Sequence, residues 1–215
     1  MATTQPPARA QVFELFPTPL LRVQGVIAPV QAAALCAHFA AVASTPNPRS
    51  QVLTHTEILS PDAEPLLGPL VQALQPHLVA FGELLFGEKL AWNIKEMWVN
   101  ALQTGGRQSV HNHANCFISG VLYLTDSDPS AQTVFIRSLG GHHFVFSNSN
   151  SRSSTGPFNA ERWIGPAPSP GDLVLFPSYL LHEVPTNQGG QRVTLALNAI
   201  PHRLDSWGYA VSLAP

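Results

Sequence analysis

Three of the nine histidines in this sequence stand where a metal could use them: His111 and His113 in one short stretch, and His182 in another. Residues i and i+2 of an extended segment project to the same side, so His111-Asn112-His113 offers two imidazoles to one point. His182 comes after an apolar run, Leu173 to Phe176, and Pro177-Ser178-Tyr179-Leu180-Leu181, which would bring a third imidazole from another strand. Neutral imidazoles on one face suit a divalent transition metal, and iron, zinc and copper all accept them. Farther on, Arg192, Thr194, Ala196 and Asn198 share one face of an apparent strand, with Val193, Leu195 and Leu197 on the other. An isolated buried guanidinium is costly, so Arg192 pointing into a small barrel needs an anion. A dicarboxylate ligand would supply one, held by two parallel bonds to the guanidinium and one to the Thr194 hydroxyl. An internal ion pair, for instance to Glu96, would supply one too.

These residues together suggest a mononuclear iron site beside a clamp for 2-oxoglutarate. A facial set of two His and one carboxylate leaves open positions on Fe(II) for a bidentate keto acid and for O2. The acid is missing here, because His113 stands where Asp or Glu is expected. Three imidazoles remain acceptable donors, and losing one negative charge makes the metal more electrophilic. Should His113 turn away, the vacancy could accept chloride, the chemistry of a halogenase.

The elements that must position these groups are short strands. From Leu90 onward the pattern is β: Trp92 to Leu102 alternates, with Ile94, Glu96, Trp98 and Asn100 on one side and Met97 and Val99 on the other. Phe117 to Leu124 reads as a strand buried on both faces. Thr133 to Ile136, His143 to Phe146, Asp172 to Phe176 and Val193 to Ile200 are further strands. Turn signals at Asp126-Ser127-Asp128-Pro129, Gly140-Gly141, Pro170-Gly171-Asp172 and Gln188-Gly189-Gly190 separate them, a spacing that fits a sandwich or jelly roll. Residues 1–10 read as a loose tail and Phe13 to Val23 as an edge strand, since Pro17 and Pro19 exclude a central one. Residues 25–88 read as mainly helical support. Val30 to Val42 forms one helix. A second is capped by Asp62, repeats through Leu66, Leu70, Leu74, Leu78 and Phe81, and is kinked at Pro69 and Pro76. His38, His55 and His77 read as structural or surface residues. The 103–110 segment and the polar 147–165 loop, with Arg152, Arg162 and Trp163, are the expected substrate-facing parts.

Composition excludes several classes. The 215 residues fit one domain, 1–215, with the jelly-roll core in 89–215. Only 11% of residues are charged and the formal charge is −2, so no basic face suggests nucleic acid. The two lysines, Lys89 and Lys95, form no polybasic membrane patch, and no apolar run reaches the roughly 18 residues of a spanning helix. Met1-Ala2-Thr3-Thr4-Gln5-Pro6-Pro7 lacks the basic and apolar regions of a signal peptide. Cys36 and Cys116 have no metal spacing and read as free thiols. A cytoplasmic protein is expected, with a homodimer as a possible assembly.

The sequence as a whole resembles a known family. Glu96-Met97-Trp98-Val99-Asn100, His111-Asn112-His113, Ser119-Gly120-Val121-Leu122-Tyr123, Pro170-Gly171-Asp172 through Pro177-Ser178, His182, Arg192-Val193-Thr194 and Asn198 together look like the Fe(II)/2-oxoglutarate oxygenases of bacteria and phages. Leu15-Phe16-Pro17-Thr18-Pro19-Leu20 resembles the opening of that family. The resemblance implies a prolyl-hydroxylase-like double-stranded β-helix (jelly roll, cupin-like), mainly β with flanking α, with N-terminal helices packed on one sheet. It implies iron ligation by His111, His113 and His182, and a hold on the far carboxylate of 2-oxoglutarate by Arg192 and Thr194. Asn100 matches the position reaching the keto-acid end, Tyr123 adds a phenol hydrogen bond, Asn198 lines the pocket, and Ser119-Gly120 is structural. Two departures are Leu122, where a second Tyr is common, and the polar insert after Phe146. The implied reaction is hydroxylation of a small-molecule or peptide substrate with O2, converting 2-oxoglutarate to succinate. The other readings left by the residues are a cupin-like three-His dioxygenase without 2-oxoglutarate, a 2-oxoglutarate-dependent halogenase and a non-catalytic jelly-roll binding protein.

Overall fold

One long strand organises the molecule. β4 runs from Trp92 to His111, and its two halves belong to two differently facing parts of the same curled sheet. The structure is a computed structural model and describes residues 11–43, 45–47, 50–61, 64–139, 148 and 150–214. The tail 1–10, the Asp62 cap, the Gly140-Gly141 turn and the 143–146 strand expected from the sequence lie outside those residues.

The strands in chain order are β1 (Leu21–Val23), β2 (Thr45–Pro46), β3 (Ser50–His55), β4, β5 (Ile118–Tyr123), β6 (Val134–Ile136), β7 (Arg162–Ile164), β8 (Leu173–Pro177), β9 (Leu181–Val184) and β10 (Arg192–Pro201). They pair antiparallel in the order β1-β8-β5-β10-β4-β9-β6-β7, with β3 also on β4 and β2 on β3. The first half of β4 pairs with β10, from Trp92 opposite Pro201 to Leu102 opposite Arg192. Its far end pairs with β9, His111 opposite His182. The corner between the halves falls at Gly105 and Gly106. Gly105 has φ +79°, and a Cβ on Gly106 would lie 2.6 Å from the Val52 carbonyl oxygen, so only glycine fits there. The corner is tied by Gly105 N–H to the Asn187 carbonyl and Asn187 N–H to the Gly106 carbonyl. Two inner faces of one antiparallel sheet thus look at each other, which is the double-stranded β-helix expected.

The outer face of the larger half carries the core. Met97 and Val99 of β4, Leu195 and Leu197 of β10, Ile118 and Leu122 of β5 and Leu173 and Leu175 of β8 pack against two helices. These are α1 (Pro29–Ala40) and α2 (Leu67–Phe86). α1 starts where Pro29 fits the first turn and the Gln31 side chain accepts from the Ala28 N–H. α2 buries Leu67, Leu70, Leu74, Leu78 and Phe81 on one stripe, each contributing roughly 1.5–3 kcal/mol. It runs through Pro76 without ending, and Gly87 closes it at φ 71°. Leu74→Ala would leave a cavity costing about 2–5 kcal/mol. Gly120 of β5 belongs to this packing: a Cβ there would approach Leu175 Cδ2 to 2.7 Å.

The elements depart from the sequence reading in a few places. The mainly helical stretch also holds β2 and β3. Among the described residues only Leu21–Val23 of the expected edge strand is in a ladder, and it is an edge, paired to β8 alone. The 103–110 segment continues β4, and Arg162 and Trp163 are in β7. Ile94 does not share a face with Glu96, because a bulge in the β4–β10 register turns Ile94 toward the helix-side core. An unforeseen hairpin, β11 (Arg203–Ser206) with β12 (Tyr209–Ser212), follows β10. Among the described residues no helix is long and apolar enough to cross a membrane.

Candidate metal centre

The inner face of the sheet is polar in one zone and aromatic in another. Alternation along β4 and β10 puts Glu96, Trp98 and Asn100 opposite Asn198, Ala196 and Thr194, and β5 adds Ser119, Val121 and Tyr123 opposite the same three. Where β4 meets β9, the imidazoles of His111, His113 and His182 converge, with one ligand atom of each lying within 4.8 Å of the others. Ring centroids are 4.2 Å apart for His111–His182 and 5.2 Å for both pairs involving His113.

Each ring is placed by different means. His111 Nδ1 lies 2.8 Å from the Ser109 carbonyl oxygen, and His182 Nδ1 lies 2.9 Å from that of Leu180. A carbonyl only accepts, so both Nδ1 atoms carry the proton and both Nε2 atoms present a lone pair, the arrangement of oriented metal-binding imidazoles. His113 lies two residues beyond the end of β4. Its backbone N–H donates to the Ser178 carbonyl at 3.0 Å, and no hydrogen bond holds its ring among the described residues.

Burial keeps the His182 and His113 imidazoles neutral. His182, 6% exposed, is depressed to about 3, first by burial and then by the neighbouring His111 and His113, with the Leu180 carbonyl opposing. His113 is held near 4, again by burial and then by His111, against the pull of Glu96. Neutral imidazole is the form that ligates. Phe176 and Phe135 shield His182, at ring distances of 4.8 and 6.2 Å.

Arg192 is 5% exposed on the same inner face, with its guanidinium 5.2 Å from the centre of the Tyr123 ring. Among the described residues, Nη2 donates to Thr133 Oγ1 at 3.4 Å, Nε has no partner, and no carboxylate pairs with the guanidinium. The alternative ion pair to Glu96 is not formed, since Glu96 pairs with Lys95 at 2.8 Å and accepts from Asn198 Nδ2 at 3.0 Å. Asn100 is buried with its carboxamide oxygen unpartnered, and Thr194 is buried opposite it. Asn198 is on the expected face, but its amide is engaged by Glu96 and by Ser119 Oγ. Thr133, which sequence reasoning passed over as the start of a strand, touches both the guanidinium and the Tyr123 hydroxyl. Its only signal was a polar residue at the head of an apolar run.

The donor set fits the group implied by the sequence. His111 and His182, aimed with their Nε2 atoms forward beside the His113 ring, can hold a divalent metal, and a buried cation with no anion among the described residues can hold a carboxylate. Residues 96–198 match the family model described as "Putative 2OG-Fe(II) oxygenase", a span that contains every residue of this site. Over those residues the chain is similar to the 2OG-Fe(II) oxygenases. The oxygenase is therefore an enzyme of the non-haem iron class that uses 2-oxoglutarate. A comparison with curated protein sequences gives no match.

Solved structures agree on the fold. HygX from Streptomyces hygroscopicus, crystallised with nickel and 2-oxoglutarate, is 15% identical with a TM-score of 0.59, over 86% of this chain and 83% of that one. A Pseudomonas putida prolyl-4-hydroxylase is 15% identical with a TM-score of 0.58, over 84% and 92%. The viral collagen prolyl hydroxylase of Paramecium Bursaria Chlorella virus-1, solved as a 2OG complex, is 10% identical with a TM-score of 0.56, over 84% and 94%.

Proposed function

We propose that the oxygenase binds one Fe(II) through His111, His113 and His182 and hydroxylates a small-molecule or peptide substrate. Arg192 and Thr194 receive the far carboxylate of 2-oxoglutarate, and Asn100 and Tyr123 border the same space. The observation that carries this reading is the buried Arg192 guanidinium, without a carboxylate partner among the described residues, on the face where three imidazoles meet. When bound, ferrous iron supplies the redox chemistry by which O2, 2-oxoglutarate and a C–H bond become succinate, CO2 and an alcohol.

The residues of this chain do the rest. Arg192 fixes the register of the keto acid by charge and by its planar fork. Thr133 holds the guanidinium and Tyr123 flanks it, so the clamp is set before the ligand arrives. Phe135, Phe176 and Val174 make a dry wall beside His182 that excludes water. Trp163, half exposed on the edge strand β7 and ring-to-ring with Phe135, sits where a substrate would enter. Both substrate classes have precedent among the similar folds: HygX was also solved with hygromycin B bound, and the viral relative is a collagen prolyl hydroxylase. A cytoplasmic setting suits two free cysteines.

Succinate release from 2-oxoglutarate under air tests this function. It is expected with Fe(II), to vanish with a chelator, and to be lost in His182→Ala. Succinate release unaffected by the chelator would reject it.

A further inference from the structure

Three positions separate Gln108 from His111, and in a regular strand that spacing turns the two side chains to opposite faces. The ladder is not regular there. Gln108 pairs with Val184 and His111 with His182, so β4 spends one residue more than β9 over the same span. Val184 and His182 share a face, and the bulge therefore brings Gln108 onto the metal face as well. Its carboxamide nitrogen lies 3.4 Å from His111 Nε2. A bulge gives up ladder bonding, and beside a site its use is to re-aim a side chain.

The hydrogen-bond logic says what the re-aimed group does. The Ser109 carbonyl keeps the His111 proton on Nδ1, so Nε2 is an acceptor and the Gln108 amide donates to it. A metal on Nε2 takes that lone pair away. The His182 Nδ1 is engaged with Leu180, so the neighbouring rings offer the half-buried amide little in exchange. The acceptors that arrive with the metal are the oxygen atoms completing its coordination.

We propose that Gln108 is a positioning residue of the metal centre, donating a hydrogen bond to an oxygen ligand bound beside His111. That ligand is water before 2-oxoglutarate arrives and an oxygen of 2-oxoglutarate afterwards. The inference rests on the three-histidine site proposed above. It assigns Gln108 a role in orienting what the metal holds, not in holding the metal.

Co(II) is the probe, bound to the full chain without air. Gln108→Met keeps the length and removes the donor; Gln108→Glu keeps the shape and replaces the donor by an acceptor. Calorimetry should find Co(II) affinity in Gln108→Met within about threefold of the wild type, since all three imidazoles remain. The affinity of the Co(II)-loaded protein for 2-oxoglutarate should fall about tenfold in both variants, the worth of one hydrogen bond to a charged group. The visible spectrum of the Co(II)–2-oxoglutarate complex should shift with it. Wild-type affinity and spectrum in either folded variant would overturn the proposal. A tenfold loss of Co(II) itself in Gln108→Met would overturn it too, by making the carboxamide a ligand. A wild type that takes up no Co(II) would instead remove the metal site beneath it.

Discussion

The three histidines are not equivalent. His111 and His182 are each oriented by a carbonyl two residues back, while the His113 ring has no such partner among the described residues. A ring that is already aimed loses less freedom on binding. His182→Ala is therefore expected to weaken Mn(II) about 100-fold and His113→Ala only about tenfold, the range over which such orientation acts. Calorimetric titration of the two variants checks the order; equal losses would mean that the carbonyl ties carry no weight. Arg192→Lys keeps the charge and loses the planar fork, so 2-oxoglutarate affinity should fall more than about tenfold. Unchanged affinity would remove Arg192 from the clamp. The histidines and Arg192 were legible because few other jobs suit those residues at that spacing. Thr133 and Gln108 were not: a lone Thr carries little signal, and the parity of Gln108 depends on a bulge that alternation cannot foresee.

Among the elements, β8 shows how the scaffold is fastened. Asp172, just before it, accepts from Arg22 Nη2 at 2.6 Å and Nε at 3.1 Å, from Gly25 N–H at 2.9 Å and from Ser169 N–H at 3.0 Å. One carboxylate thus joins the edge strand β1 to the turn leading into β8. Burial works to raise its pKa, yet the Arg22 guanidinium and the two N–H groups hold it below the usual value. A carboxylate depressed by folding adds stability above its unfolded pKa and gives it up as pH falls through the folded value. Asp172→Asn is expected to cost about 2 kcal/mol at pH 7, as for hydrogen bonds to a charged group. In urea unfolding the gap to the wild type should narrow below about pH 4, near the ordinary Asp value. A gap that is constant down to acid pH would show that shape, not charge, matters at this turn. Here the sequence was read as a turn signal, Pro170-Gly171-Asp172, and the reach to Arg22 was hidden because the two lie far apart in the chain. The helices were found from apolar residues at helical spacing, leucines above all in α2. The strands β2 and β3 were missed because they lie in and after a Pro-rich stretch and mix polar with apolar residues.

At the scale of the molecule, one sheet separates two environments. Its outer face, with α1 and α2, is an apolar core; its inner face collects the histidines, Arg192, Thr194, Asn100 and Tyr123. The jelly roll was legible from the regular alternation of short apolar runs and turns. What alternation could not supply was the corner at Gly105–Gly106, by which β4 serves both halves and brings His111 opposite His182. The central claim is that three imidazoles and one guanidinium make a single site. A crystal structure grown with Mn(II) and 2-oxoglutarate tests it most directly. The account expects the metal roughly 2.0–2.3 Å from nitrogens of His111, His113 and His182, and the far carboxylate on Arg192. Manganese elsewhere, or 2-oxoglutarate seated away from Arg192, would contradict it.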